Sequence, residues 1–207
     1  MCTVKNNFSL RKYNTFGIDV YAKFYVKFSS NKELLTILKK INTTQVIILG
    51  GGSNILFTKH TYDTVLHNNI NGIYITKENK HHVWVEVGAG EIWHDFVLWS
   101  VENNFSGVEN LALIPGSVGA SPIQNIGAYG MEVKDSIEEV FTIELKSGKT
   151  KNFNNNECKF KYRESIFKNQ CKNKYIITKV VFKLNKKHLN ITSYGDVKDE
   201  LKNLKLS

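Results

Sequence analysis

The chain has 207 residues, 42% of them hydrophobic and 12% aromatic, enough for one large domain or two small ones with real cores. Its net charge of +9 is almost all lysine; Arg11 and Arg163 are the only arginines, and the lysines are scattered instead of lining one stripe with stacking aromatics, which argues against a nucleic-acid partner. No run of 18 apolar residues could span a membrane, no apolar leader opens the chain, and Cys2, Cys158 and Cys171 form neither a CxxC pair nor part of a histidine cluster. The expectation is a soluble, cytoplasmic protein with free thiols and no metal.

In chain order, SNKELLTILKKI (30–41) opens with a capping box, Ser30 and Glu33, and repeats Leu34, Leu38 and Ile41 at helical spacing. VIIL (46–49) reads as a buried strand that ends in Gly50-Gly51-Gly52-Ser53-Asn54, after which Ile55-Leu56-Phe57 reads as strand again. HVWVEVGAG (82–90) alternates like a strand and stops at glycine. EIWHDFVLWSVENN (91–104) carries a helical period, with Ile92, Phe96 and Trp99 on one side. VFTIEL and KTKNF flank Ser147-Gly148 as a hairpin, and YIITKVVFKL (175–184) is a further strand. DVKDELKNLKLS begins a helix that Asp196 is placed to cap. Strands and helices alternate without a regular βαβ period, so the fold class is α+β.

Three segments could carry chemistry. A strand running into consecutive glycines presents backbone N–H groups with no Cβ in the way, a geometry that suits a diphosphate, although a glycine-rich turn can also be only a turn. It is neither a Walker A loop nor a Rossmann fingerprint, since no Gly-Lys-Ser/Thr and no helix follow. NLALIPGSVGASPIQNIGAYG (110–130) carries no charge and offers only neutral donors and acceptors, a lining that suits a flat heterocycle such as a flavin. In KFKYRESIFK (159–168), Arg163 either pairs with Glu164 on the surface or presents its fork to a carboxylate or a developing enolate. His94 and the tryptophans Trp84, Trp93 and Trp99 read as structural.

Taken together, NTFGI (14–18), LGGGSNILF (49–57), VGAGEIWHDFV (87–97), ENLALIPGSVGASPIQNIGAYG (109–130) and YRESIFK (162–168) resemble the UDP-N-acetylenolpyruvoylglucosamine reductase, or UDP-N-acetylmuramate dehydrogenase, family. The resemblance implies an FAD-binding fold of the vanillyl-alcohol oxidase / p-cresol methylhydroxylase type with two α/β subdomains. Its parts would be an arm (1–13), the two subdomains (14–66 and 67–185) and the start of a substrate-binding domain (186–207). It also implies FAD and NADPH as cofactors, hydride delivery to the enolpyruvyl group of a UDP-sugar for peptidoglycan synthesis, and a monomer.

By matching motifs, Gly50, Gly51, Gly52, Ser53 and Asn54 would line the FAD diphosphate. Pro115, Gly116, Ser117, Gly119, Ala120, Ser121, Gln124, Asn125, Gly127 and Ala128 would surround the rest of the flavin nucleotide. Arg163 matches the arginine that polarises the substrate carboxylate and steadies the enolate, and Tyr129, Tyr162 and Tyr194 fall on the UDP-sugar side. The family's third domain, with a proton-donating serine and an assisting glutamate, has no counterpart before Ser207. Either the protein is shortened or that part is supplied separately; loss of a general acid typically costs about 100- to 10,000-fold in rate.

Overall fold

The computed structural model describes residues 3–187, 192, 195 and 197–204. Two sheets organise it. The first has the order β1-β2-β4-β3, with β1 (Val4–Ser9) antiparallel to β2 (Tyr21–Phe28), and both β2 and β3 (Val46–Leu49) parallel to β4 (Thr61–Asn68). Residues 4–9, read from sequence as part of an arm, are thus an edge strand of this sheet. The parallel strands β2 and β3 are joined through α1 (Asn31–Leu38). Ser30 caps that helix by accepting from the Glu33 amide at 3.2 Å, while the Glu33 carboxylate accepts from the Ser29 amide. The box therefore closes one residue earlier than the Ser-x-x-Glu spacing suggests.

The second sheet is antiparallel throughout, in the order β10-β9-β11-β6-β5. Its strands are β5 (Ile73–Glu78), β6 (His82–Gly88), β9 (Ile137–Glu144), β10 (Thr150–Asn154) and β11 (Tyr175–Asn185). The long connection between β6 and β9 carries α2 (Trp93–Glu102), the single turn α3 (Ser121–Gln124) and the hairpin of β7 (Gly127–Ala128) with β8 (Met131–Glu132). A last helix, α4 (Val197–Asn203), buries no side chain. No helix among the described residues is long and apolar enough to cross a membrane.

The inner face of the second sheet, with Val83, Val85, Val87, Val180, Phe182 and Leu184, packs under α2 to make the larger core. A second core is shared. Val26, Phe28 and Leu66 of the first sheet and Leu34 and Ile37 of α1 meet Ile143, Leu145 and Ile176 of the second. The Asn68 amide adds a cross-link by donating to the Ile177 carbonyl at 2.9 Å.

Two expectations need correction. Residues 55–57 form no strand: Phe57 is buried among Leu10, Val65 and their neighbours, but no neighbouring strand pairs with the segment, and alternation without a partner does not make a ladder. The buried face of α2 is Trp93, Phe96, Val97 and Ser100, and Ile92 stands outside it as a 57% exposed, extended N-cap. The Ser147-Gly148 hairpin forms as read, with Gly148 at φ +69° and its amide donating to Glu144 O at 2.8 Å.

Candidate functional site

Gly50–Asn54 leave the end of β3 and turn back over residues 13–17. Gly52 sits at φ +68°, and a Cβ there would lie 2.0 Å from the Tyr13 carbonyl oxygen, so only glycine lets the loop lie this close to the chain beneath it. The Thr15 amide donates to Gly52 O at 3.3 Å and its hydroxyl to Ser53 O at 3.4 Å. The carbonyls are thereby engaged, but the N–H groups are not. Among the described residues, the backbone amides of Gly51, Gly52, Ser53 and Asn54 find no acceptor. A run of unpaired amides is costly unless a ligand or water supplies the acceptor, and an anion supplies it best.

The charge-free loop is brought to this spot by β6 and α2. Trp93 N donates to Gly116 O (3.0 Å), Val118 N to Glu91 O (2.9 Å) and Gly119 N to Ala89 O (2.9 Å), so the loop is stitched to the strand end by main-chain bonds. Trp93 Nε1 donates to Leu111 O at 2.8 Å, and the Leu113 amide donates to His94 Nδ1 at 3.2 Å, which makes His94 and Trp93 structural as read. The two glycine-rich loops then face each other. A Cβ on Gly51 would lie 3.4 Å from Gly116 Cα, one on Gly116 would lie 3.2 Å from Ser53 Oγ, and one on Gly50 would collide with Ser117 Oγ.

Beside this meeting point runs a cleft of about 440 Å³, within the usual range for small-molecule sites. β3 forms one wall, residues 117–123 the floor, and residues 167–177 the other wall. Of the sequence candidates, Gly50, Ser117, Gly119 and Ala120 line it. Lys168, Cys171, Lys172, Asn173 and Tyr175 line it too and were not anticipated. The basic run that follows Arg163 was the signal available for them.

Other candidates fall elsewhere. Asn125 is fully buried in a left-handed turn (φ +44°), with its amide donating to Glu132 Oε1 and to Lys161 O, both at 3.0 Å, and its oxygen accepting from Lys134 N. Its side-chain hydrogen-bonding groups are thus all used within the protein. The Ser121 hydroxyl likewise donates inward to Val118 O at 2.8 Å. Pro115 is exposed, while Gln124, Gly127 and Ala128 are half-buried beyond the cleft floor. Tyr129 and Tyr162 project into solvent at 55% and 80% exposure. Tyr194 and Asp196 lie outside the described residues.

Arg163 sits at the tip of a tight reversal in which the Lys161 and Glu164 amides each donate to the other's carbonyl at 3.0 Å. Its φ of +54° is the left-handed conformation that the third position of such a turn usually reserves for glycine. The guanidinium donates to Gly127 O at 2.8 Å and, among the described residues, pairs with no carboxylate. Glu164, the partner that a bland reading would give it, is taken by Lys168 at 3.3 Å and by the Asn169 amide. Those two donors hold the Glu164 carboxyl below its ordinary range, so it stays ionised.

Beneath the glycine loop, the Tyr25 hydroxyl and His67 Nδ1 are 2.6 Å apart, with the Tyr13 ring edge-on to the imidazole. Burial, helped by nearby Lys27, pushes His67 down to about 4, and burial together with Tyr13 raises Tyr25. The neutral ring and the phenol share a hydrogen bond through Nδ1. Cys158 is a buried thiol pushed up to about 12, mainly by desolvation.

The free amides, the neutral loop facing them and the adjoining cleft are the fittings that a phosphate-linked cofactor with a flat ring demands. Comparison with known proteins agrees. The chain is 52% identical over 199 residues to the UDP-N-acetylenolpyruvoylglucosamine reductase of Flavobacterium johnsoniae, covering 96% of this chain and 59% of that protein. It is 42% identical over 204 residues to the protein of the same name from Amoebophilus asiaticus, covering 98% and 60%. The chain thus spans about three fifths of the length of these relatives.

Among solved structures, the crystal structure of UDP-N-acetylenolpyruvylglucosamine reductase from Thermus caldophilus superposes with a TM-score of 0.72 at 24% identity, over 99% of this chain and 70% of that one. A solvent-stable cholesterol oxidase superposes at 0.64 with 12% identity, over 89% and 38%, so the fold is that of the vanillyl-alcohol oxidase type. The model of the FAD-binding domain family matches residues 22–154, from β2 through the glycine loop and the charge-free loop to β10. With both loops of the site inside that match, this chain belongs to the FAD-binding domain family, and its cofactor is FAD.

Proposed function

We propose that this chain is the FAD-holding part of a reductase that uses NADPH to reduce the enolpyruvyl group of a UDP-linked amino sugar. The observation that carries this reading is Arg163, a cation anchored by one hydrogen bond to Gly127 O and otherwise uncommitted, on the same loop system that meets the glycine loop. The name of the relatives, borne by proteins 42–52% identical over 96–98% of this chain, supports it.

When bound, FAD supplies the two-electron relay between a nicotinamide donor and the substrate. The chain's own residues do the rest. The amides of Gly51–Asn54 take the diphosphate, Ser117, Gly119 and Ala120 hold the neutral edge of the nucleotide, and the cleft wall excludes water. Arg163 binds the enolpyruvyl carboxylate and stabilises the charge that develops beside it, as a fixed fork of N–H donors does. Tyr129 and Tyr162, both exposed, take the sugar nucleotide. Asn169 and Lys168 hold the Glu164 carboxyl below its ordinary range. The chain is organised as two subdomains, 14–66 and 67–185, and the site works in a cytoplasmic monomer.

The test is anaerobic. Protein loaded with FAD is mixed with NADPH while the visible flavin absorbance is followed, and then with the enolpyruvyl UDP-sugar. Bleaching by NADPH and recovery of colour on adding the sugar support the reading. Flavin that binds and stays oxidised supports a second one, a cofactor-binding part without turnover.

A further inference from the structure

We infer that Lys168 is a positioning residue whose single ammonium keeps Arg163 both oriented and unpaired; the functional weight of this rests on the reading of Arg163 given above. Lys168 Nζ donates to the Arg163 carbonyl at 3.0 Å, fixing the peptide that follows a residue in the left-handed region. The same ammonium engages Glu164 at 3.3 Å. Glu164 is next to Arg163 in the chain, and without Lys168 its carboxylate is left with the Asn169 amide and no cation, open to the guanidinium. Lys168 therefore does two things: it clamps the strained turn, and it withholds the anion that would neutralise Arg163.

The surrounding bonds give the clamp its leverage. The Arg163 turn is tied to the charge-free loop at three points: Asn125 Nδ2 to Lys161 O (3.0 Å), Arg163 to Gly127 O (2.8 Å) and Ser165 Oγ to Ile123 O (2.7 Å). Each fixes where the turn sits. The Arg163–Glu164 peptide is held at its N–H by Lys161 O and at its carbonyl by Lys168, which alone among the described residues bonds that carbonyl. Lys168 also lines the cofactor cleft. One residue thus joins the cleft wall to the turn that bears the free cation.

The chain's composition makes the test direct, because only Arg11 and Arg163 contribute arginine side-chain Nε–H signals to a 15N-edited NMR spectrum. In Lys168→Met, the Arg163 signal is expected to leave its wild-type position, as Glu164 pairs with the guanidinium, and its exchange with solvent to change at least about fivefold. The Arg11 signal stays put and serves as the internal control. Lys168→Arg restores the Arg163 signal, and adding Glu164→Gln to Lys168→Met removes the pairing and returns most of the shift.

An Arg163 signal indifferent to Lys168→Met, with Arg11 unmoved, overturns the inference. Should Lys168→Met not fold, Lys168→Gln, whose donor is too short for the carbonyl, answers the same question. These measurements use no substrate. A flavin that NADPH cannot bleach would count against the proposed function and leave the Lys168 result standing.

Discussion

Arg163 and Asn125 show how differently two polar residues with left-handed backbones can be used. Asn125 tolerates φ +44° as asparagines do and places all of its hydrogen-bonding groups inside the protein. Asn125→Ala strands the partners of three bonds and should cost on the order of 2–4 kcal/mol. Flavin loss would follow only as a consequence of unfolding; a variant that keeps its melting temperature yet cannot hold FAD would put Asn125 back in the cofactor site. Arg163 occupies a similar conformation with a side chain directed outward, so its strain serves placement. Arg163→Gly relaxes the backbone and should leave stability unchanged or raise it by up to about 1 kcal/mol, while the proposed hold on the enolpyruvyl carboxylate is lost. Thermal melting and titration with the enolpyruvyl UDP-sugar, run side by side on that variant, separate the two effects.

At the scale of elements, the two loops are unequal in their tolerance. Gly52 touches the Tyr13 carbonyl, and Gly52→Ala should fail to accumulate as folded protein, because backbone cannot move out of the way of a Cβ 2.0 Å distant. Gly51→Ala places its methyl in ordinary contact with Gly116 and should fold normally. That methyl narrows the space above the free amides and should weaken FAD by about tenfold or more, the equivalent of ~1.4 kcal/mol. Equal FAD affinities in wild type and Gly51→Ala would show that the diphosphate lies elsewhere.

The loops were legible in the sequence because their chemistry is local: consecutive glycines after VIIL, and a stretch without charge, say the same thing in any register. Ile55–Phe57 was misread because a strand is a property of two segments, and no segment pairs with this one. The buried face of α2 was blurred by Ile92, an apolar residue that serves as the extended N-cap, bridges to Ser117 and never enters the helix. Lys168 could not be found from spacing, since its bond to Arg163 O depends on a chain reversal that the letters YRESIFK do not encode.

For the whole molecule, the buried Tyr25–His67 pair sets a limit on acid stability. His67 has a folded-state value of about 4 against an ordinary value near 6.5, so the unfolded chain binds the proton more readily. The stability that comes from keeping this ring neutral is full above about pH 6.5, declines as pH falls, and is gone below about 4. Over that window His67 alone should account for about 2–3 kcal/mol of lost stability. Melting curves of wild type and His67→Gln between pH 7 and 4 should converge as pH falls; curves that stay parallel would mean that the ring titrates normally. Saturating FAD acts in the other direction. At 100 times its dissociation constant it adds about 2.7 kcal/mol, visible as a melting temperature several degrees higher.

The shared core of Val26, Phe28 and Leu66 with Ile143, Leu145 and Ile176 ties together the two sheets that wall the cleft. Walls joined along their base cannot part like the jaws of a hinged clamp. A long, flat guest therefore meets walls that hold their spacing, and any give on its arrival comes from lining side chains such as Lys168, Lys172 and Asn173.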